Sequence, residues 1–184
     1  MTVKISSSSK NILLKVARKS LENFLKDRKQ TTFEVHTSDM LQHRAVFVTL
    51  REKDSGKLRG CIGHVEARYP LVKAVAKTAI SSALEDSRFT SLSKDELRNI
   101  LIEINVLTRL KKILTNEIEL GKHGLMLSKG SYSAIYLPEV PINQGWDRIE
   151  FLEKLSLKAG LNRTDWKDKG TDIFCFESES WTEN

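Results

Sequence analysis

The fold of this chain is organised around the stretch Leu58-Arg59-Gly60-Cys61-Ile62-Gly63. A β-branched and aromatic run, residues 45–50, precedes it, and Asp54-Ser55-Gly56 supplies the residues that a chain reversal needs. The sequence therefore predicts a hairpin whose second strand covers residues 57–62. Glycine within a strand marks a bulge or a close approach of backbone. We expect one or the other at Gly60 and Gly63, on either side of Cys61.

Helical patterns flank this hairpin. Apolar residues recur at helical spacing over residues 12–25 and again over residues 71–84, where Pro70 takes the position at which a missing N–H does no harm. Small side chains in the second helix suit close packing on a sheet. Residues 1–9 are predicted to form a flexible N-terminus, and residues 30–43 show no clear period and are predicted to be a loop.

Strand patterns dominate the rest of the chain. Residues 100–107 are partly apolar on both faces, which is typical of a central strand. Residues 125–137 predict a second hairpin, residues 146–157 predict a helix, and residues 172–177 predict a closing strand. No internal repeat and no linker composition separates these elements.

Composition and charge narrow the class of protein. The 184 residues are 40% hydrophobic and 29% charged, which fits one soluble globular domain, with or without two subdomains. The 30 basic residues exceed the 24 acidic ones, but they are interspersed, so nucleic-acid binding is disfavoured without being excluded. No apolar run reaches the ~20 residues of a membrane span. With Cys61 and Cys175 as the only cysteines, there is no disulfide framework, which favours the reducing cytoplasm.

Several motifs together carry a family resemblance. They are the stretch 58–63, Ala79-Ile80-Ser81-Ser82-Ala83, Asp86-Ser87-Arg88-Phe89, Gly121-Lys122-His123-Gly124-Leu125, Tyr136-Leu137-Pro138-Glu139-Val140 and Gln144-Gly145-Trp146-Asp147. With these motifs in consistent order, the chain resembles the AMMECR domain family over residues 45–176. Residues 1–40 match that family least.

The resemblance implies an α+β fold, with an antiparallel β-sheet of about five strands flanked by helices and a smaller α/β subdomain. The predicted order of helices and strands agrees with it. In many prokaryotes, proteins of this family are encoded beside a Memo-like protein and a radical SAM protein, which implies a partnership in a modification pathway. The reaction of the family is not settled, so the cofactor is unknown and whether the protein is an enzyme stays open.

Cys61 is the strongest candidate for chemistry. Arg59 and the amides of the turn at residues 60–63 would hold its sulfur as the nucleophilic thiolate, and His64 or His123 would act as the base. The alternative is that Cys61 is a small residue buried in a tightly packed strand. For His123, the alternative is that it only fixes the second hairpin.

Other residues are candidates for binding, and none for a metal. The candidate binding residues are Arg59, Gly60, Gly63, His64, Glu103, Gln144 and Trp146. Glu103 either lines a site or points to solvent. Cys61 and His64 have C-x-x-H spacing, but a metal would need two further ligands, and His36 and His43 lie in the predicted loop with no ligand partner.

Two kinds of function remain from the sequence. In the first, the protein is an enzyme or the substrate-binding component of a modification pathway that uses a cleft at Cys61. In the second, it is a non-catalytic protein-interaction module whose glycines admit a partner. RNA binding through the positive excess is a third and less favoured reading.

Overall fold

The computed structural model of the protein describes residues 4–29, 31–34 and 37–183. These residues form two compact units. The first unit runs to Leu107 and takes in the segment that begins at Glu179, and the second unit is Thr108–Ser178. His43 lies in the connection before the first strand, with its Nδ1 3.3 Å from the carbonyl oxygen of Ala67. His36, also predicted to be a loop residue, lies outside the described residues.

Helices and strands follow one another along the chain in a mixed order. They are α1 (Ser7–Asp27), α2 (Ser38–Leu41), β1 (Ala45–Glu52), β2 (Leu58–His64), α3 (Leu71–Leu84), a 3-10 helix (Glu96–Asn99), β3 (Ile100–Leu107), β4 (Lys111–Lys112), a 3-10 helix (Thr115–Glu117), β5 (Gly124–Lys129), β6 (Tyr132–Tyr136), α4 (Glu139–Gln144), α5 (Arg148–Lys158), a 3-10 helix (Asp165–Lys167), β7 (Asp172–Phe176) and β8 (Ser178–Thr182). Helices α1, α3 and α5 and both hairpins confirm the sequence predictions.

The first unit is a four-stranded sheet in the order β2-β1-β3-β8, with α1 and α3 packed against it. Strands β2, β1 and β3 pair antiparallel, and β3 is central as predicted. Side chains alternate between the faces of a strand. Val48, Leu50 and Ile104 therefore point into the core shared with the helices, where each is fully buried and contributes about 2 kcal/mol. The opposite face carries Thr49 and Glu103.

The second unit has its own core. Its sheet has the order β4-β7-β5-β6, and α5 packs against β5 and β6. Helix α5 begins at a capping box, in which the Asp147 carboxylate accepts the Glu150 N–H at 2.8 Å and the Glu150 carboxylate accepts the Asp147 N–H at 3.2 Å. Phe151, Leu152 and Leu155 on the inner face of α5 are fully buried.

Some features differ from the sequence prediction. The α+β class is confirmed, but the described strands are divided between two sheets of four instead of a main sheet of about five. Of the predicted flexible N-terminus, residues 1–3 lie outside the described residues, while Ile5 is buried and α1 already begins at Ser7, where the Ser6 hydroxyl accepts the Ser9 N–H. Helices α2 and α4 are too short to show a helical period in sequence.

No helix among the described residues combines the length and the apolar character that crossing a bilayer requires.

Candidate functional site

Cys61 lies on β2, at the edge of the first sheet. Its partner in the strand register is Thr49, whose hydroxyl donates a hydrogen bond to the Cys61 sulfur at 3.2 Å. The Cys61 side chain is half-buried, so it is not sealed inside the core. The sulfur therefore has a hydrogen-bond donor beside it.

An ion pair outside the strand holds the main chain of Cys61. The Cys61 N–H donates to Asp86 Oδ2 at 2.8 Å, and the Cys61 carbonyl oxygen accepts from Arg88 Nη2 at 3.4 Å. The Arg88 guanidinium also donates to both carboxylate oxygens of Asp86, from Nε at 2.9 Å and from Nη2 at 2.7 Å. These bonds occupy the outward main-chain groups that an edge strand leaves unpaired. They fix the backbone that carries the thiol.

The contacts between Asp86 and Arg88 favour the charged form of each side chain. Hydrogen bonds from the Arg88 guanidinium hold the pKa of the Asp86 carboxyl well below its usual range and outweigh the opposing effect of burial. Asp86 in turn raises the pKa of Arg88, and the nearby Cys61 adds to that rise. Arg88 is therefore the cation within electrostatic reach of the thiol.

Gly60 and Gly63 are required by contacts inside the protein. A β-carbon on Gly60 would lie 2.1 Å from the Ser82 carbonyl oxygen of α3, and one on Gly63 would lie 2.1 Å from the Phe47 ring. The predicted close approach is confirmed at both glycines. It is made by the protein's own atoms, which accounts for both glycines, and the idea that they also admit a partner stays a prediction.

Arg59 is the extra residue of a bulge, since the register between β1 and β2 shifts at this point. Its guanidinium donates to Glu96 Oε1 at 2.9 Å and to the Thr90 carbonyl oxygen at 3.0 Å. These bonds direct Arg59 to Glu96 and Thr90, so its support of the thiol stays a prediction, whereas Arg88 donates to the Cys61 carbonyl oxygen.

His64 lies on the other face of β2 from Cys61. It pairs with Val46 in the register, three positions along the strand from Cys61. An odd spacing puts two strand residues on opposite faces, and His64 indeed lines a cavity with Ala74 and Thr78 of α3. The prediction of His64 as the base is therefore wrong. The same geometry separates the C-x-x-H pair, and the described residues contain no metal-binding cluster of three or more His, Cys, Asp or Glu side chains.

Glu103 lies in the same row of the sheet as Cys61. Thr49 pairs with both residues, so they stand two strand spacings apart, about 10 Å. The Glu103 carboxylate accepts from Arg51 Nε at 3.1 Å and from Ser180 Oγ at 3.3 Å. Glu103 is thus half-buried and held in place on the face that carries the thiol.

Three further candidates lie in the second unit. His123 closes the turn before β5, because its Nδ1 accepts the Glu119 N–H at 3.2 Å and its own N–H donates to the Glu119 carbonyl oxygen at 2.9 Å. Gln144 is the exposed last residue of α4. Trp146 packs edge-on against Tyr136, with ring centroids 5.5 Å apart. These contacts give His123 and Trp146 structural roles within that unit.

The second unit also contains the other thiol, Cys175. It lies on β7, opposite Leu125 of β5, and burial raises the pKa of this thiol. A raised pKa lowers the thiolate fraction at neutral pH and with it the reactivity. Cys175 is therefore an internal reference for the reactivity of Cys61.

Sequence reasoning did not assign Thr49, Asp86 or Arg88 to the site. Two signals were present. The predicted hairpin makes a residue of 45–50 the cross-strand neighbour of Cys61, and the motif at residues 86–89 already belongs to the family pattern. What the sequence could not show is that this loop turns back onto the outer edge of β2.

Known proteins resemble this chain over nearly its whole length. A family model described as AMMECR1 matches residues 14–181. The chain belongs to the AMMECR1 family. A Methanopyrus kandleri protein, MK0488, is 37% identical over 191 residues, which cover 100% of this chain and 92% of that protein. An Aquifex aeolicus relative is 40% identical over 148 residues, which cover 77% of this chain and 76% of the relative.

A solved structure shares the fold. It is the crystal structure of PH0010 from Pyrococcus horikoshii, described as an uncharacterized protein, with 35% sequence identity and a TM-score of 0.91. The match covers 99% of this chain and 95% of that one. The AMMECR1 relatives therefore establish family and fold, and they bring no specific activity.

Proposed function

We propose that this AMMECR1-family protein is a component of a covalent-modification pathway and that it engages its substrate through the Cys61 thiol. The observation that carries the proposal is how the thiol is held: Thr49 donates to the sulfur, and the Asp86–Arg88 pair fixes the main chain. A nucleophilic cysteine needs a fixed position, solvent access and stabilisation of negative charge on sulfur. The half-buried Cys61 has contacts that suit all three.

The reaction class follows from what surrounds the sulfur. The thiolate attacks an electrophilic carbon of the substrate, an S–C bond forms, and the leaving group departs with the electron pair of the bond that breaks. The thiol proton passes to solvent, because the hydrogen bonds of the described residues bring the Thr49 hydroxyl to the sulfur and no imidazole. The exposed guanidinium of Arg88 offers a binding group for an anionic part of the substrate.

The Memo-like protein and the radical SAM protein are the proposed partners in this pathway. The proposed compartment is the cytoplasm, because a nucleophilic thiol must stay reduced and both cysteines of this chain are free. The two partners would supply or remove the group that Cys61 carries.

The experiment is co-expression of the full chain with the Memo-like and radical SAM proteins of one genome, followed by intact-mass measurement and peptide mapping. We expect a mass increase that depends on both partners and maps to Cys61. The increase should persist in Cys175→Ser, which keeps the proposed nucleophile, and should be absent from Cys61→Ser.

Two results would overturn the proposal. A protein that carries no added mass under any combination of partners is not a covalent acceptor. An added mass that survives in Cys61→Ser lies on another residue. If Cys61→Ser also binds both partners as tightly as the wild type, the protein is the non-catalytic interaction module instead.

A further inference from the structure

We propose that the first unit also binds a small phosphate-bearing ligand, in a cavity on the sheet face opposite Cys61. The cavity lies between the end of β2, the loop that follows it and α3, and its volume is about 220 Å³. Ligand pockets typically measure ~300–1,000 Å³, so this cavity suits a compact molecule such as a phosphate monoester of a few carbons. It is separate from the thiol, because His64 on its wall and Cys61 lie on opposite faces of β2.

The cations that line the cavity define the charge of the ligand. Arg44 is 7% exposed and donates from Nε to the Leu107 carbonyl oxygen at 3.1 Å, so a nearly buried guanidinium is fixed at the wall. The Lys77 ammonium approaches from α3, 5.5 Å from the centroid of the Tyr69 ring. No carboxylate of the described residues forms an ion pair with Lys77. A guanidinium, an ammonium and the His64 imidazole on one small cavity favour an anion.

Among the described residues, the carboxylates of Glu66 and Glu179 lie close enough to oppose such a ligand, and each forms an ion pair with another cation. Glu66, on the cavity wall, accepts from Arg68 at 2.7 Å. Glu179 acts on Arg44 through its charge, but its carboxylate lies 2.6 Å from the Lys10 ammonium. Neither pair involves Lys77, so its ammonium keeps this wall positive.

Residues with hydroxyl groups add uncharged hydrogen-bond donors to the cavity. Thr78, Ser81 and Tyr69, each of which carries a hydroxyl group, also line the cavity. A tetrahedral phosphate has oxygens pointing in several directions, and hydroxyl, imidazole, ammonium and guanidinium donors arranged around one cavity can meet them together. A planar carboxylate would leave some of these donors unused. The phosphate group is therefore the better match.

The test is titration of the full chain with inorganic phosphate, glycerol 3-phosphate and malonate, followed by calorimetry at fixed ionic strength. We expect both phosphate compounds to bind and malonate to bind more weakly. Lys77→Gln should weaken phosphate binding by about ten-fold, as expected for the loss of a charged hydrogen-bond donor. The matched control is Lys73→Gln: Lys73 lies one helical turn earlier, 5.1 Å from the same Tyr69 ring, and does not line the cavity.

His64→Gln gives a second, independent reading of the same cavity, and it should also weaken phosphate binding. The proposal is overturned if neither phosphate compound binds, if malonate binds as tightly as phosphate, or if Lys73→Gln and Lys77→Gln have equal effects. Cys61 alkylation should be unchanged in Lys77→Gln, so this result stands apart from the thiol proposal.

Discussion

The Asp86 carboxylate is a buried charge beside Cys61, and the stability of the fold depends on its ionisation. Its side chain is 5% exposed and accepts hydrogen bonds from the Cys61 N–H and from Arg88, which hold the pKa of its carboxyl well below 3.8. Asp39 behaves similarly. Burial raises the pKa of Asp39, but hydrogen bonds led by the Ser6 N–H outweigh burial and bring it to about 2.

Both carboxylates make stability depend on pH with the same sign. Because each folded-state pKa is below the unfolded value of 3.8, the stabilisation is fully present above about pH 4 and is lost as the pH falls through the folded-state pKa. We predict that Asp86→Asn lowers the free energy of unfolding by about 1–2 kcal/mol at neutral pH. Its difference from wild type should shrink as the pH falls below about 4. Urea unfolding at a series of pH values measures both quantities.

Asp95→Asn is the matched control, since the Asp95 side chain is 92% exposed. It should leave stability close to wild type across the pH series. An Asp86→Asn profile that stays parallel to wild type down to the acid limit would contradict the role given to this carboxylate.

At this scale the sequence points to Cys61 as a candidate, but it could not predict all of the neighbours of this residue. The place of His64 could have been predicted, because an odd spacing along a strand already puts it on the other face from Cys61. The place of Arg59 could not, since a bulge depends on the register with the partner strand. Asp86 and Arg88 reach Cys61 from about 25 residues away in sequence, which no local pattern encodes.

At the scale of elements, the contact between β2 and α3 is the one that Gly60 makes possible. The Ser82 hydroxyl accepts the Ile62 N–H at 3.1 Å and donates to the Val48 carbonyl oxygen at 2.8 Å. Helix α3 is thereby bonded to two strands, and its backbone at Ser82 passes over Gly60. This accounts for the glycine at this position of β2.

We predict that Gly60→Ala lowers the free energy of unfolding by about 1–3 kcal/mol, because the new β-carbon meets a backbone oxygen that can move only with α3. Gly170→Ala is the control, since a β-carbon there has no neighbour within 4 Å and the backbone is not left-handed. Urea denaturation of the two variants measures the difference. Equal urea midpoints of the two variants would show that the α3 backbone leaves room for a β-carbon at residue 60.

Elements with a strong local signal could be predicted from sequence. The hairpin before residue 63, the helix after Pro70 and the capped helix after Asp147 each carry a turn, a starting residue or a period. Strand β8 has no comparable signal, because Ser178–Thr182 is polar and gains its place only by joining the sheet of β3.

At the scale of the whole molecule, the chain builds the first unit, then the second, and then returns to the first. The first boundary follows Leu107 at the end of β3, and the second precedes Glu179 within β8. Neither crossing is marked by a proline- or glycine-rich linker. The sequence could therefore predict the α+β class, while the division into two sheets depends on long-range strand pairing.

The two thiols, one in each unit, allow the most direct test of the role of Cys61. Single-thiol variants, Cys175→Ser and Cys61→Ser, are treated with iodoacetamide at neutral pH in the folded state and again in urea, where both thiols should react alike. We predict that folded Cys61 reacts several times faster than folded Cys175, because Cys61 has a donor at its sulfur and burial raises the pKa of Cys175. Equally slow labelling of both folded thiols would contradict a functional Cys61 and leave only its place in the sheet.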